Sequence, residues 1–133
     1  MQFAIGLSGI PLGYIEYLIL RPQPLVEDLY LKTLAVPILI MIICTGFIEE
    51  LAFRGIIQHN AVKYLNTGLG LFYVSLLFAV MHIGNLSLQH VVFAFGIAYF
   101  YAYSVKSTGS IIGVSISHGL TNVLLFLIMP LVS

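Results

Sequence analysis

Apolar runs broken by short polar punctuation divide the chain into five segments, each near the length of a membrane-spanning helix, about 20 largely apolar residues. The first covers about Phe3–Leu20, with Gly9 and Gly13 at a spacing that lets helices approach closely and Glu16 interrupting its apolar character. Arg21-Pro22-Gln23-Pro24 breaks it, because the residue before a proline is pushed away from helical geometry. Glu27 and Asp28 then suit the first turn of a new helix, near its positive dipole end. That second segment extends from about Leu31 into the region of Val62. It is too long for one perpendicular crossing and must tilt, bend or leave the membrane. Pro37 is a candidate kink, and Gln58, His59, Asn60 and Lys63 point to an exit beyond Arg54. Asn66-Thr67-Gly68 ends the segment. The third covers about Leu69–Ile83, closed by Gly84-Asn85, and the fourth, rich in aromatics, about Leu88–Val105. Lys106-Ser107-Thr108-Gly109 turns the chain into the fifth, about Ser110–Val132. Continuous hydrophobicity, without the alternation of barrel strands, predicts helices. The expected fold is all-α, a polytopic transmembrane bundle of about five helices, with 1–133 as a single membrane domain.

Composition turns that pattern into a class. Hydrophobic residues make up 60% of the chain and mean hydropathy is +1.08, more than a soluble domain of this size has interior to hide. The expected location is an integral, multi-pass membrane protein, with the bilayer as its first partner. Five basic and five acidic residues give no net charge, and nothing resembles the basic patch of a nucleic-acid binder. Loop lysines and arginines divide evenly between the two sides, so the positive-inside rule does not choose an orientation. The lone cysteine, Cys44, excludes an intrachain disulfide framework and is expected as a small core residue. Met1-Gln2-Phe3 lacks the basic start of a signal peptide. A chain this short, entering apolar sequence almost at once, is expected to be a piece of a longer protein or a minimal version of one.

Charged residues are only 8% of the chain, and an ionisable group within a membrane segment marks a functional site by default. Three polar stations stand out. Glu49, Glu50 and Arg54 lie in the second segment. Glu50 and Arg54 are four apart, acid first, the favourable order for a helical ion pair. Glu49 is turned about 100° away and lacks that local partner. The spacing suggests that Arg54 holds Glu50 while Glu49 is left for chemistry; the alternative is a purely structural charge cluster. His82 closes the third segment, four residues after Phe78. Alone, it reads as a histidine satisfied by a backbone carbonyl. His118 and Asn122 share one face of the fifth segment, either as interhelical hydrogen-bond partners or as part of a site. His59 and His90, near segment ends, are assigned to the membrane interface. A carboxylate, two imidazoles and an amide, if they converge, supply a base to activate water, a partner to orient it and donors for a developing oxyanion.

Glu49-Glu50-Leu51-Ala52-Phe53-Arg54 reads as EExxxR, Phe78-Ala79-Val80-Met81-His82 as FxxxH, and His118-Gly119-Leu120-Thr121-Asn122 as HxxxN. In this order, on hydrophobic helices, they resemble the motifs of the CPBP intramembrane proteases, the family of the type II CAAX prenyl endopeptidases and of bacteriocin-processing, Abi-like proteins. The resemblance covers about Leu31 to Val132. It makes 31–132 the catalytic core and 1–30 an N-terminal helix and linker. It implies an active-site cavity between helices, with Glu49 and His82 activating water, His118 and Asn122 stabilising the oxyanion, and Glu50, Arg54 and Phe78 in support. It also points to a prokaryotic cell membrane.

The expected function is an intramembrane endopeptidase acting on a membrane-associated, lipidated or prenylated peptide or protein, with no cofactor. The alternative chemistry is a zinc peptidase, with Glu49, His82 and His118 as candidate ligands, although no HExxH is present. A different class is a non-catalytic bacteriocin-immunity or scaffold protein holding a peptide in the same cavity. A proton or ion pathway would also use intramembrane Glu and His, but the internal repeats of a transporter are not seen.

Overall fold

Five helices carry the chain: α1 (Gln2–Leu20), α2 (Leu31–Leu65), α3 (Thr67–Asn85), α4 (Leu88–Thr108) and α5 (Ile112–Val132). The structure is a computed structural model describing residues 1–133, with no strand among its elements. Each helix is long and apolar enough to cross a membrane. Large apolar side chains such as Leu18, Ile40, Phe47, Phe72 and Val92 point outward, which suits lipid and not water. This is an integral membrane protein.

Local chemistry explains where the helices stop. Arg21 closes α1 in left-handed geometry (φ 42°), and Pro22 and Pro24 follow it outside any helix. Asn66 (φ 83°) separates α2 from α3 and caps the latter, its side-chain oxygen accepting from the Leu69 amide at 3.1 Å. Ser87 caps α4 by accepting from His90 N at 3.2 Å. Gly109 (φ 70°) ends α4 in the left-handed conformation that glycine adopts without a Cβ penalty.

Two expectations need correction. Glu27 and Asp28 do not lie in a first helical turn. α2 begins at Leu31 after Tyr30, and Asp28 Oδ1 instead accepts from Tyr30 N at 2.9 Å, a local bond that holds a loop. Cys44 is exposed and not a core residue. The packed side of α2 there is taken by Ile42 and Gly46, about half a turn away. His90, in the first turn of α4 near the segment end expected for it, is only 1% exposed. Pro37 sits inside α2 without ending it. The backbone ladder lengthens to π-helical, i→i+5 bonding over Met41–Ile48 and again over Leu51–Ile57, segments that flank Glu49 and Glu50. Such departures from α-helical bonding occur frequently at functional sites.

The helices sort into two compact units, and the division falls between Glu49 and Glu50. The first unit comprises Met1–Glu49 and Ile112–Ser133: α1, the N-terminal part of α2, and α5. Close backbone approach builds it. A Cβ on Gly9 would stand 2.2 Å from the Ser117 carbonyl oxygen, and one on Gly13 2.7 Å from that of Thr121. The small-residue spacing of α1 is therefore a contact with α5. Ser8 and Ser117 share a hydroxyl hydrogen bond of 2.9 Å across it. α2 meets α5 in the same way. A Cβ on Gly46 would lie 2.6 Å from the Ser115 carbonyl oxygen, and one on Gly119 2.9 Å from Ile42 Cα. The second unit, Glu50–Ile111, packs the rest of α2 with α3 and α4 around Phe53, Leu71, Val74, Phe78, Ala98 and Ala102.

Candidate functional site

In the first unit, the glycine-mediated approach of α2 and α5 sets two polar pairs side by side. Glu49 lies one turn beyond Gly46 and His118 one turn beyond Ser115. Glu49 Oε2 stands 4.0 Å from His118 Nε2, past direct hydrogen-bond reach and within the span that a single water can bridge. One turn away along both helices, Asn122 Nδ2 donates to Thr45 Oγ1 at 2.9 Å. Thr45 in turn donates to the Met41 carbonyl oxygen at 2.7 Å. Spending its own proton on that carbonyl leaves the hydroxyl oxygen to receive the amide, so the Asn122 side chain is held in one orientation. The His118 side chain is 9% exposed and that of Glu49 42%, so the carboxylate is the open end of the group. Ser115 Oγ is buried without a hydrogen-bond partner.

In the second unit the other carboxylate is sealed. Glu50 is completely buried and Arg54 is 2% exposed. Arg54 Nη1 bonds Glu50 Oε1 at 3.1 Å, the i, i+4 pair that the spacing predicted, and Nη2 donates to the Ala98 carbonyl at 3.2 Å. The guanidinium also lies 4.7 Å from the Phe78 ring centre, 5.6 Å from Tyr101 and 5.8 Å from Phe53, within cation–π range. Phe78 links this pair to His82. Its ring packs edge-on to Phe53 at 5.1 Å and against the His82 ring at 4.7 Å.

His82 Nδ1 lies 2.8 Å from the Phe78 carbonyl oxygen. A carbonyl only accepts, so Nδ1 donates there, and in the neutral ring Nε2 carries the lone pair. The carbonyl partner that the bland reading expected is therefore also what selects the tautomer a base needs. His90, assigned from sequence to the interface, packs edge-on to His82 at 5.4 Å. Its Nδ1 is 3.0 Å from Asn85 Nδ2, where the amide must be the donor. No sequence signal showed that His90 packs against His82, and the hydroxyl of Thr45 gave none either.

Of the four residues expected to do chemistry, Glu49, His118 and Asn122 are gathered in the first unit and His82 stands in the second. Zinc would need three protein ligands; no three His, Cys, Asp or Glu side chains form such a set, and the presence of an ion is a matter for metal analysis of the protein.

A model of the family described as "Type II CAAX prenyl endopeptidase Rce1-like" matches residues 31–124. The chain belongs to this family. The matched span holds every residue of the three motifs, from Glu49 to Asn122, and leaves α1 outside it. Membership in the Rce1-like family agrees with the CPBP resemblance of the motifs. Neither a curated protein nor a solved structure matches the chain.

Proposed function

We propose that this protein is an intramembrane endopeptidase that hydrolyses a peptide bond in a membrane-associated or lipidated substrate. The observation that carries the reading is the unlike treatment of two adjacent glutamates. Glu50 is buried against Arg54, whereas Glu49 stays open beside an imidazole at 4.0 Å. Membership in a family of prenyl endopeptidases supports the reaction class, and prenylated peptides are the first substrates to try. The motifs' likeness to bacteriocin-processing proteins favours a prokaryotic cell membrane.

In this reading Glu49 takes a proton from water while His82, through Nε2, orients it. The hydroxide oxygen bonds to the substrate carbonyl carbon, and the carbonyl oxygen gains negative charge. His118 and the amide of Asn122 stabilise that oxygen, a role in which fixed donors in a dry pocket are effective. When the C–N bond breaks, the proton held by Glu49 passes to the leaving amine and the carboxylate is restored. Glu50, Arg54 and Phe78 support the helices around His82.

The test is hydrolysis of a fluorescence-quenched peptide by purified protein, compared with Glu49→Gln. Cleavage by the parent and its loss in the variant support the protease. Binding of the peptide without cleavage by either would make the protein an immunity or scaffold protein. Zinc content is measured on the same preparation. The expected result is far less than one equivalent, with turnover that survives chelator. Stoichiometric zinc that restores a chelated enzyme would overturn water activation by Glu49 and His82 alone.

A further inference from the structure

His82 has the water-orienting role in the proposed reaction, yet its own backbone does little to fix it. It is the first residue past the α-helical turns of α3, with φ −90° and ψ 1°, in the sparsely populated bridge region. The chain after it runs through a short 3₁₀ turn, Ile83–Asn85, to Leu86, which is left-handed (φ 52°) and 95% exposed. The His82 ring is half-buried, with Nδ1 bonded to the Phe78 carbonyl at 2.8 Å. That bond selects the tautomer, while the plane of the ring depends on what packs against it.

Two rings pack there: Phe78 at 4.7 Å on the preceding turn of α3, and His90 at 5.4 Å, edge-on, from α4. His90 belongs to none of the three motifs, but the fold holds it closely. Its backbone N–H donates to Ser87 Oγ at 3.2 Å, and its Nδ1 accepts from the Asn85 amide at 3.0 Å. Accepting at Nδ1 puts the proton of the neutral ring on Nε2, the reverse of His82. Asn85 and Ser87 both lie in the connection that follows His82, so this connection is stitched onto the very ring that packs against it. Burying an imidazole costs free energy that an apolar side chain would not incur, and here a dedicated amide offsets part of that cost.

We propose that His90 is a positioning residue for His82: locked by Asn85 as an Nε2–H imidazole, it sets the plane of the His82 ring and keeps Nε2 of His82 presented as an acceptor. The proposal rests on the reading of His82 as the group that orients water. His90 acts only through His82. A misplacement of about 1 Å at a reacting group can cost as much as 10²-fold in rate, which gives such a residue a measurable effect. A purely structural anchor would instead hold the α3–α4 connection and leave His82 unchanged in the folded protein.

The experiment uses the full chain in detergent with ¹⁵N-labelled histidine. Ring nitrogens of the four histidines are assigned by replacing each in turn. The parent is expected to show His82 protonated at Nδ1 and bare at Nε2, and His90 the reverse. Melting temperature, and kcat and KM on the quenched peptide, are measured on the same preparations. His90→Ala should let the His82 ring swing off the Phe78 carbonyl, so that its Nε2–H form appears, and should lower kcat about tenfold with KM nearly unchanged. His90→Phe keeps a ring in place and leaves only the exposed Asn85 amide to water. It should restore the His82 signature and most of the kcat lost in His90→Ala. If His90→Ala does not fold, Asn85→Ala, a change at an exposed residue, takes its place; by releasing the His90 ring it should mix the His82 tautomers and lower kcat several-fold. A loss of melting temperature alone, with the His82 tautomer and kcat unchanged, would overturn the positioning role. So would a kcat loss in His90→Phe equal to that in His90→Ala, or a parent His82 found in the Nε2–H form. If the parent cleaves nothing, the endopeptidase reading fails, while the ring spectra still support or overturn the hold of His90 on His82.

Discussion

Glu50 and Glu49 are consecutive residues with opposite surroundings. The Glu50 carboxyl has no exposure, bonds Arg54 at 3.1 Å, and faces a guanidinium that three aromatic rings surround. The Glu49 side chain keeps 42% of its surface open, with the His118 imidazole 4.0 Å away. Both carboxyls have the same intrinsic chemistry; what differs is the partner each finds. A carboxylate neutralised by a neighbouring guanidinium is a poor base, and removing its charge leaves the cation uncompensated. A carboxylate without that partner can accept a proton from water. In the proposed reading Glu50 contributes stability and Glu49 reactivity, and each side can be tested separately.

The largest expected effect is on hydrolysis. Glu49→Gln keeps the shape of the side chain and removes the base, so the rate should fall by roughly 10²–10⁴-fold while the melting temperature stays near that of the parent. Full activity in this variant would break the comparison at its reactive end. Glu50→Gln is the converse. Leaving Arg54 without its charge partner should cost about 3–5 kcal/mol, read as a lower melting temperature and yield in detergent. A stable Glu50→Gln protein would show that the sealed pair contributes little.

Asn122→Ala sharpens the open side. If the amide stabilises the oxyanion, kcat should drop by roughly 10²–10³ with KM nearly unchanged. If it only ties α5 to α2 through Thr45, the loss should appear in melting temperature alone. Thr45→Val removes the same interhelical bond and keeps the amide, so it should cost about 1 kcal/mol of stability and little kcat. Matching kcat losses in the two variants would mean that the bond orients the amide for catalysis. The smallest effect is expected from Phe78→Leu, which removes one ring from beside Arg54 and one neighbour of His82. It should lower stability by about 1–2 kcal/mol; an unchanged melting temperature would show that the pair is held without that ring.

Much of this was legible without coordinates. The five spans follow from hydropathy runs, since in lipid a spanning backbone must bond within itself and the runs must be helical. The pairing of Glu50 with Arg54 follows from i, i+4 geometry on one helix. The small-residue spacing at Gly9 and Gly13 anticipated a close contact, though not that α5 would fill it. Glu27 and Asp28 were misplaced by about one turn, because an aspartate can hold a loop with the same oxygen that would cap a helix.

Properties legible in the sequence are therefore local and one-dimensional: which stretches span, which residues share a helix face, and which charged side chains find a partner one turn away. Which faces meet is settled by the packing of the helices. Cys44 turns outward because α5 packs against the other side of α2. His90 turns inward onto His82, and Thr45 becomes the partner of Asn122, 77 residues later. Gln58 reaches across to the Ala102 carbonyl on α4 and leaves its own oxygen buried without a hydrogen-bond partner. The outward turn of Cys44 and the Thr45–Asn122 bond go with the close backbone approach of α2 and α5, Gly46 on Ser115 and Gly119 on Ile42. Helical periodicity sets the direction of a side chain around its own axis, but its neighbour is chosen by the shape of the opposing helix.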